Sequence, residues 1–318
     1  VGNYIFEVVK PGLTTTIQDL GRTGYQQYGV VVAGAMDAFA LQVGNLLVGN
    51  KRGEAGIEVV IMGPTLKVLT NTVIAICGAD LSPKLDGESV TLWKSFAVKS
   101  GQTLTFGKPL NGAYAYIAVA GGIETPMIME SKSTYTKAEL GGIEGRNLQK
   151  GDQIPIGVPS TTVKAGIGLP IRQIPDYRSG RKIRVILGPD HNAFNSESID
   201  RFLSENYKLT SQSDRMGSRL EGPSLSLLKG ADIISDAIFP GTIQVPANGQ
   251  PIILLADRQT TGGYTRIATV ITVDLPYVAQ MLPGNELAFE AISVEKAQRL
   301  YVEQELLLQT LSVAAGVY

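Results

Sequence analysis

The amino-acid sequence predicts a mainly β protein: two tandem β-barrel-like domains, a few short helices and a C-terminal helix. Three observations carry this expectation. Between Gly56 and Gly157, short apolar segments alternate with Gly and Pro, a spacing that favours a barrel or sandwich over βαβ units. The two halves also repeat each other. Gly63-Pro64-Thr65-Leu66 resembles Gly222-Pro223-Ser224-Leu225, and Ser100-Gly101-Gln102-Thr103-Leu104 resembles Pro240-Gly241-Thr242-Ile243. The stretch from Gly112 to Ala120-Gly121-Gly122 resembles that from Gly249 to Ala256-Asp257-Arg258. The letters match weakly, but their order and spacing agree. Finally, residues 161–179, with Pro170, Pro175 and three basic side chains, read as a linker between a first domain, 1–160, and a second, 180–318.

Taken in order, Tyr4–Val9 alternates and meets Lys10-Pro11-Gly12, a strand closed by a turn. Thr14–Leu20 extends again and leads into Gln18-Asp19-Leu20-Gly21-Arg22. Asp37 is suited to cap a helix over Ala38–Val48 that turns Phe39, Val43 and Leu46/Leu47 to one face, with Gly49 as its stop. An Asp at this place either caps or presents its carboxylate in a pocket. Strands are expected at Ile57–Met62, Thr65–Leu69, Val73–Ile76, Val90–Leu92, Gln102–Phe106 and Ala113–Ala120. The second half opens with a strand over Arg181–Leu187 and a short helix over Ser196–Leu203, and strands resume near Tyr207. The tail places Val294, Ala297, Leu300/Tyr301, Leu307/Leu308 and Leu311 at helical spacing, an amphipathic helix that must lie on its own domain or on a partner.

Composition removes several function classes. The 318 residues carry a formal net charge of −1 and no basic stripe, so nucleic acid is not expected as a partner. The apolar runs break well short of a membrane span. No signal segment opens the chain, and the single cysteine, Cys77, excludes an internal disulfide; both point to the cytoplasm. His191 is the only histidine and lies in the turn-like Gly188-Pro189-Asp190-His191-Asn192, so neither a zinc site nor a serine triad is expected, and no metal ligands are assigned.

Three stretches mix carboxylates, arginines and glycines at strand ends: Gln18–Arg22 with Asp37, Asp214–Glu221, and Asp257–Tyr264. The last is the most distinctive. The apolar run Pro251–Leu255 breaks into Asp257, Arg258, Gln259, Thr260, Thr261, Gly262, Gly263 and Tyr264, and a second apolar run starts at Ile267. Strand, polar loop, strand is the simplest reading, with Gly262-Gly263 allowing backbone amides to approach a ligand. Its bland alternative is a hairpin whose Asp and Arg satisfy each other. The variety of donors and acceptors favours a binding loop for an oxygen-rich small molecule, because arginine offers a planar fork to carboxylate or phosphate. The corresponding stretch of the first half, Ala120-Gly121-Gly122, carries no charge. Arg258 is expected on an exposed loop. No Walker A sequence occurs; Gly141-Gly142-Ile143-Glu144-Gly145 lacks the Gly-Lys-Ser/Thr ending.

These residues also resemble a known family. Val9-Lys10-Pro11-Gly12, Thr15 to Arg22, Gly34-Ala35-Met36-Asp37, Ser213 to Gly217 and Ala256 to Val270 are similar to the family of 5-oxoprolinase C subunits. This is the Kip A-like group, related to the carboxyltransferase region of urea carboxylase, and the likeness runs from about Val8 to Phe289. Val31, Ala33 and Thr265 stand where Pro, Ser and Pro are usual; these departures touch none of the polar candidates. The resemblance implies cyclophilin-like barrels and assembly with 5-oxoprolinase subunits A and B. It implies cleavage of 5-oxo-L-proline to L-glutamate using ATP with Mg2+, active only as a complex. On that reading Arg215, Arg219 and Arg258 meet phosphate or carboxylate charge, and Asp37, Asp214 and Asp257 orient them or bind magnesium. Gln18, Arg22, Gln259, Thr260, Thr261, Gly262, Gly263 and Tyr264 complete the substrate contacts. Two other roles follow from the same family: sequestering an inhibitor of a sensor kinase, and biotin-dependent carboxyl transfer. No Met-Lys-Met biotinylation sequence is present, so biotin would be carried on another chain.

Overall fold

The computed structural model describes residues 3–159, 163–178 and 180–317. Residues 160–162 and 179, part of the expected linker region, lie outside the described residues. The chain divides into two compact units. The first holds residues up to Thr23, Ala33–Tyr177 and the chain end from Leu306; the second holds Gly24–Val32 and Arg178–Glu305.

In the first unit the strands are β1 (Tyr4–Lys10), β2 (Thr14–Gln18), β3 (Gly56–Val60), β4 (Thr65–Val68), β5 (Thr72–Asp80), β6 (Lys84–Leu85), β7 (Glu88–Ser89), β8 (Ser95–Val98), β9 (Thr103–Thr105), β10 (Asn111–Val119) and β11 (Gln153–Pro155). They form two sheets, ordered β11-β1-β4-β9-β6-β7 and β2-β3-β10-β5-β8. Ile5, Phe6, Val8, Ile57, Val59, Leu66, Ile74, Ile117 and Leu148 belong to one buried core of this unit. Helix α1 (Ala38–Leu47) lies on β5 and β10. Its Gly44 comes so close to Ala118 and Cys77 that an added Cβ would stand 3.2 Å from the alanine methyl. The expected face of Phe39, Val43, Leu46 and Leu47 is buried, and Asp37 caps the helix by accepting from Ala40 N at 2.9 Å.

The strand expected at Val90–Leu92 is absent. Leu92 and Trp93 form a turn, with Trp93 at φ 57°, outside extended backbone; the strand starts at Ser95 instead. The apolar letters there signal burial of Trp93 rather than a ladder.

The second unit contains β12 (Lys182–Leu187), α2 (Ser196–Ser204), β13 (Tyr207–Leu209), β14 (Gly217–Glu221), β15 (Asp232–Ala237), β16 (Thr242–Val245), β17 (Ile252–Leu254), β18 (Thr261–Val270), α3 (Leu275–Ala279) and β19 (Glu286–Ala291). Seven of these strands close on themselves in the order β12-β19-β13-β14-β17-β16-β18, with β18 returning to β12, and β15 extends beyond β18. The ring is a barrel with no free edge among those seven. Phe202 of α2 stacks on Phe289 at 4.4 Å between ring centroids, with Tyr207 tilted against both.

Helix α4 runs from Val294 to Ala314. Its expected inward face is only partly realised: Leu308 is its one buried residue, while Val294 and Tyr301 are exposed alongside Val302, Leu306 and Val313.

The repeat is visible in register. In the first unit Gly56 opens β3, Gly63-Pro64 follows it, and Ile57 faces Ile117 of β10. In the second, Gly217 opens β14, Gly222-Pro223 follows, and Gly217 faces Leu254 of β17. Gly101 and Gly241, both at positive φ, precede β9 and β16. Continuing each register sets Gly121 in the place of Asp257, Gly122 in that of Arg258, and Glu54 in that of Arg215.

Candidate functional site

Three turns of the second unit meet where β14 begins and β17 ends. The Asp214 carboxylate accepts from Met216 N and Gly217 N at 2.8 and 3.2 Å, which shapes the turn into β14. Leu255 N donates to Met216 O and Asp257 N to Arg215 O, binding the turn after β17 to it. Gly241 N donates to Leu254 O and Ile238 N to Thr260 O, which adds the turn before β16.

Two arginines stand at this junction in different states. Arg215 is neutralised: its Nε and Nη2 each donate to one oxygen of Asp257 at 3.0 Å. Arg258, expected to be exposed, is only 7 % exposed. It donates to two carbonyls at long range, Ile238 O at 3.4 Å and Leu255 O at 3.3 Å. Among the described residues no carboxylate pairs with it. Burial pushes its guanidinium down to about 10 from the usual range, so it still carries its proton near neutrality. Gln259 is exposed, Thr260 half-buried and Tyr264 exposed, while Arg219 points to solvent from β14.

The polar loop is shorter than its sequence indicates. β18 begins at Thr261, so Thr261, Gly262, Gly263 and Tyr264 are strand residues, and Gly262 pairs with Asp236 of β15. Neither glycine adopts a positive φ. Gly262 packs against the buried Gln244 instead: a Cβ there would press on Gln244 Nε2, so the end of that side chain would have to shift.

In the first unit, Gln18 donates from Nε2 to Thr16 Oγ1 and to Thr134 O, and the fully buried Arg22 donates from Nη2 to Ser133 O. Between them Asp19 accepts from Gly21 N, Ser131 Oγ, Lys132 N and Ser133 Oγ. These bonds tie the end of β2 to residues 131–134. Asp37 has both carboxylate oxygens engaged, one capping α1 and the other accepting from Tyr177 Oη at 2.7 Å. Beside it, Tyr116 Oη donates to Glu58 at 2.7 Å and accepts from Asp37 N. Burial, with the charges of Glu58 and Asp37, holds the Tyr116 phenol well above its ordinary range. Burial and Asp37 do the same to the Cys77 thiol.

The structure therefore gathers Asp214, Arg215, Asp257, Arg258 and Thr260. Gln18, Arg22 and Asp37 belong to the first unit, Gln18 and Arg22 around residues 133–134 and Asp37 beside Tyr116. Sequence reasoning missed Glu58 and Tyr116; the available signal was an acid inside the otherwise apolar Ile57-Glu58-Val59-Val60. Among the described residues no group of three or more His, Cys, Asp or Glu side chains is arranged to hold a metal. Among the described residues Asp37, Asp214 and Asp257 do not come together as a magnesium site. Asp37 and Asp257 spend both oxygens on protein partners, and Asp214 serves its own turn. No described helix is long and apolar enough to cross a membrane.

The two-unit fold with one closed seven-stranded barrel has direct parallels among known proteins. Residues 28–291 match the family model described as carboxyltransferase domain, subdomain A and B, and the chain belongs to that family. Within it, the chain is 38% identical over 308 residues to the 5-oxoprolinase C subunit of Escherichia coli, covering 97% of this chain and 98% of that one. It is 39% identical over 296 residues to the 5-oxoprolinase C subunit of Haemophilus influenzae, covering 92% and 93%. The crystal structure of Kluyveromyces lactis urea carboxylase superposes with a TM-score of 0.91 at 30% identity; the match covers 98% of this chain and 29% of that larger protein.

Proposed function

We propose that this chain is the C-type subunit of an ATP-dependent 5-oxoprolinase, acting with A- and B-type subunits to open 5-oxo-L-proline to L-glutamate in the cytoplasm. The observation that carries the reading is end-to-end similarity to 5-oxoprolinase C subunits, at 38% and 39% identity. The lactam is stable, and phosphorylating its amide oxygen with ATP would activate the ring carbon toward water. The ring C–N bond then breaks as the amine takes a proton, leaving a γ-glutamyl phosphate that a second water hydrolyses to L-glutamate and phosphate. On this reading ATP and Mg2+ are held by the assembled complex, with no Walker A sequence in this chain. The contribution of this chain is the charged junction of the second unit, whose donors suit an oxygen-rich anion. Co-purification with A- and B-type subunits, followed by ADP release with and without 5-oxoproline, tests the reading. ADP release indifferent to 5-oxoproline in the full complex would refute it.

The match to urea carboxylase favours one second reading, carboxyl transfer from carboxybiotin held on another chain. Turnover abolished by avidin would select it.

A further inference from the structure

The arginines of the second unit follow a pattern that Arg258 breaks. Arg184 forks onto Asp274, Arg266 contacts Asp190 and Asp236, and Arg215 forks onto Asp257. Each partly buried guanidinium is thereby neutralised where solvent is thin. Arg258 lies deeper than any of these, yet it has two carbonyl contacts near the outer limit of a hydrogen bond and no carboxylate. Its sequence neighbour Asp257 does not help, because both of its oxygens face Arg215.

A guanidinium carries five N–H donors. Two of the five donors of Arg258 are used: Nε–H on Ile238 O and one Nη1–H on Leu255 O. The second Nη1–H and both Nη2–H groups remain, enough for a two-point contact with the oxygens of a carboxylate or phosphoryl group. A buried charge without a counter-ion is costly, and a charged ligand removes that cost on binding.

We propose that Arg258 is an oxyanion receptor. Its unused Nη1–H and Nη2–H donors take the carboxylate or phosphoryl group of a small ligand, and Asp257 holds Arg215 beside it as a positioning pair. The ligand's identity as 5-oxoproline or its phosphorylated form rests on the proposed function; the existence of an anion site does not. Of the three arginines that the family resemblance assigns to ligand charge, this singles out one. Arg215 is already paired, and Arg219 is exposed on β14.

The purified full chain tests this by titration with inorganic phosphate, 5-oxoproline and 2-pyrrolidinone, the same lactam without its carboxylate. The unaltered chain is expected to bind at least one of the two anions saturably and to ignore 2-pyrrolidinone. Arg258→Met should weaken anion binding roughly tenfold or more, and Arg258→Lys less. Arg201→Ala, on the exposed side of α2, should leave it unchanged. Phosphate alone binding would point to a phosphoryl source, and 5-oxoproline binding to a carboxylate source. Should Arg258→Met fail to fold, the side-chain ¹⁵N–¹H signals of the unaltered chain must still shift on adding anion. No saturable anion binding, or equal binding by the Met variant, overturns the proposal and leaves Arg258 as a strut between two turns.

The two readings fail separately. A complex indifferent to 5-oxoproline, with anion binding still dependent on Arg258, would sink only the proposed function. Normal 5-oxoproline turnover with Arg258→Met in place would sink only the receptor.

Discussion

The two units answer the same local problem differently. In each, a strand runs out beside the opening of an earlier one and turns back. The first unit makes that turn with Gly121 and Gly122 at φ 94° and 72°, and Gly121 N is held by the Asn50 side chain. Gly121 packs so tightly that a Cβ would collide with the Gly157 carbonyl, and the acid in the place of Arg215, Glu54, faces Lys132 at 3.9 Å. The second unit makes the turn with side chains instead: Asp257 grips Arg215, and Arg258 folds inward without a carboxylate. Duplicated backbone therefore does not imply duplicated chemistry. Where packing demands left-handed glycine, the turn has no room for charge; where the backbone keeps negative φ, it can carry a functional set.

The most severe test transplants one solution into the other unit. Gly121→Asp places a side chain at positive φ against a carbonyl and should cost about 3 kcal/mol or more of folding stability, read as a lower urea midpoint. A loss below about 1 kcal/mol would mean that the turn tolerates charge and that the contrast is not steric.

Next in size is Asp257→Ala. It leaves Arg215, mostly buried, without its partner, and should cost about 3 kcal/mol. The first-unit counterpart is Asp37→Ala, which removes the α1 cap and the acceptor of the Tyr177 hydroxyl; about 2 kcal/mol is expected. Equal, small losses in both would show that neither carboxylate is structurally committed.

A smaller effect appears at alkaline pH. Tyr116 in the first unit is held well above its ordinary range, and Tyr207 in the second is pushed up to about 12 by burial. The unfolded chain releases each phenol proton near 10 while the folded chain keeps it, so this stability is complete below about pH 10 and is lost as pH rises beyond it. Tyr207→Phe should flatten the decline between about pH 10 and 12, and Tyr116→Phe should flatten it from about pH 10 upward as well. A decline unchanged in both variants would assign alkaline unfolding to other groups. Smallest of all, Gly262→Ala should cost about 1 kcal/mol, because the flexible Gln244 end can give way.

Much of the fold was legible in particular residues. Asp37 before an apolar helix, Gly-Pro after a strand in both halves, and alternation in Tyr4–Lys10 each state a local preference that the structure keeps. Val90–Leu92 misled because a short apolar run looks alike whether it pairs or merely covers a core. Gly262-Gly263 misled because two glycines announce freedom, whereas here both are strand residues and Gly262 makes space for Gln244. Composition and pattern also located the charged stretches, since a change from apolar to polar letters marks a strand end wherever it occurs.

Which arginine is neutralised lay beyond the sequence. Arg215, Arg219 and Arg258 are the same letter in similar polar surroundings, and Asp257 is adjacent to Arg258 but pairs with Arg215, 42 residues away. Ion pairing depends on distances of a few ångströms between side chains that chain order does not constrain. Burial likewise depends on what the rest of the barrel sets over a residue. The sequence by itself determined a mainly β fold, the Asp37 cap and the position of the charged turn, but not that Gly24–Val32 groups with the second unit and the chain end from Leu306 with the first. Only the tertiary structure decided that one charge in that turn is buried against two carbonyls without a carboxylate among the described residues.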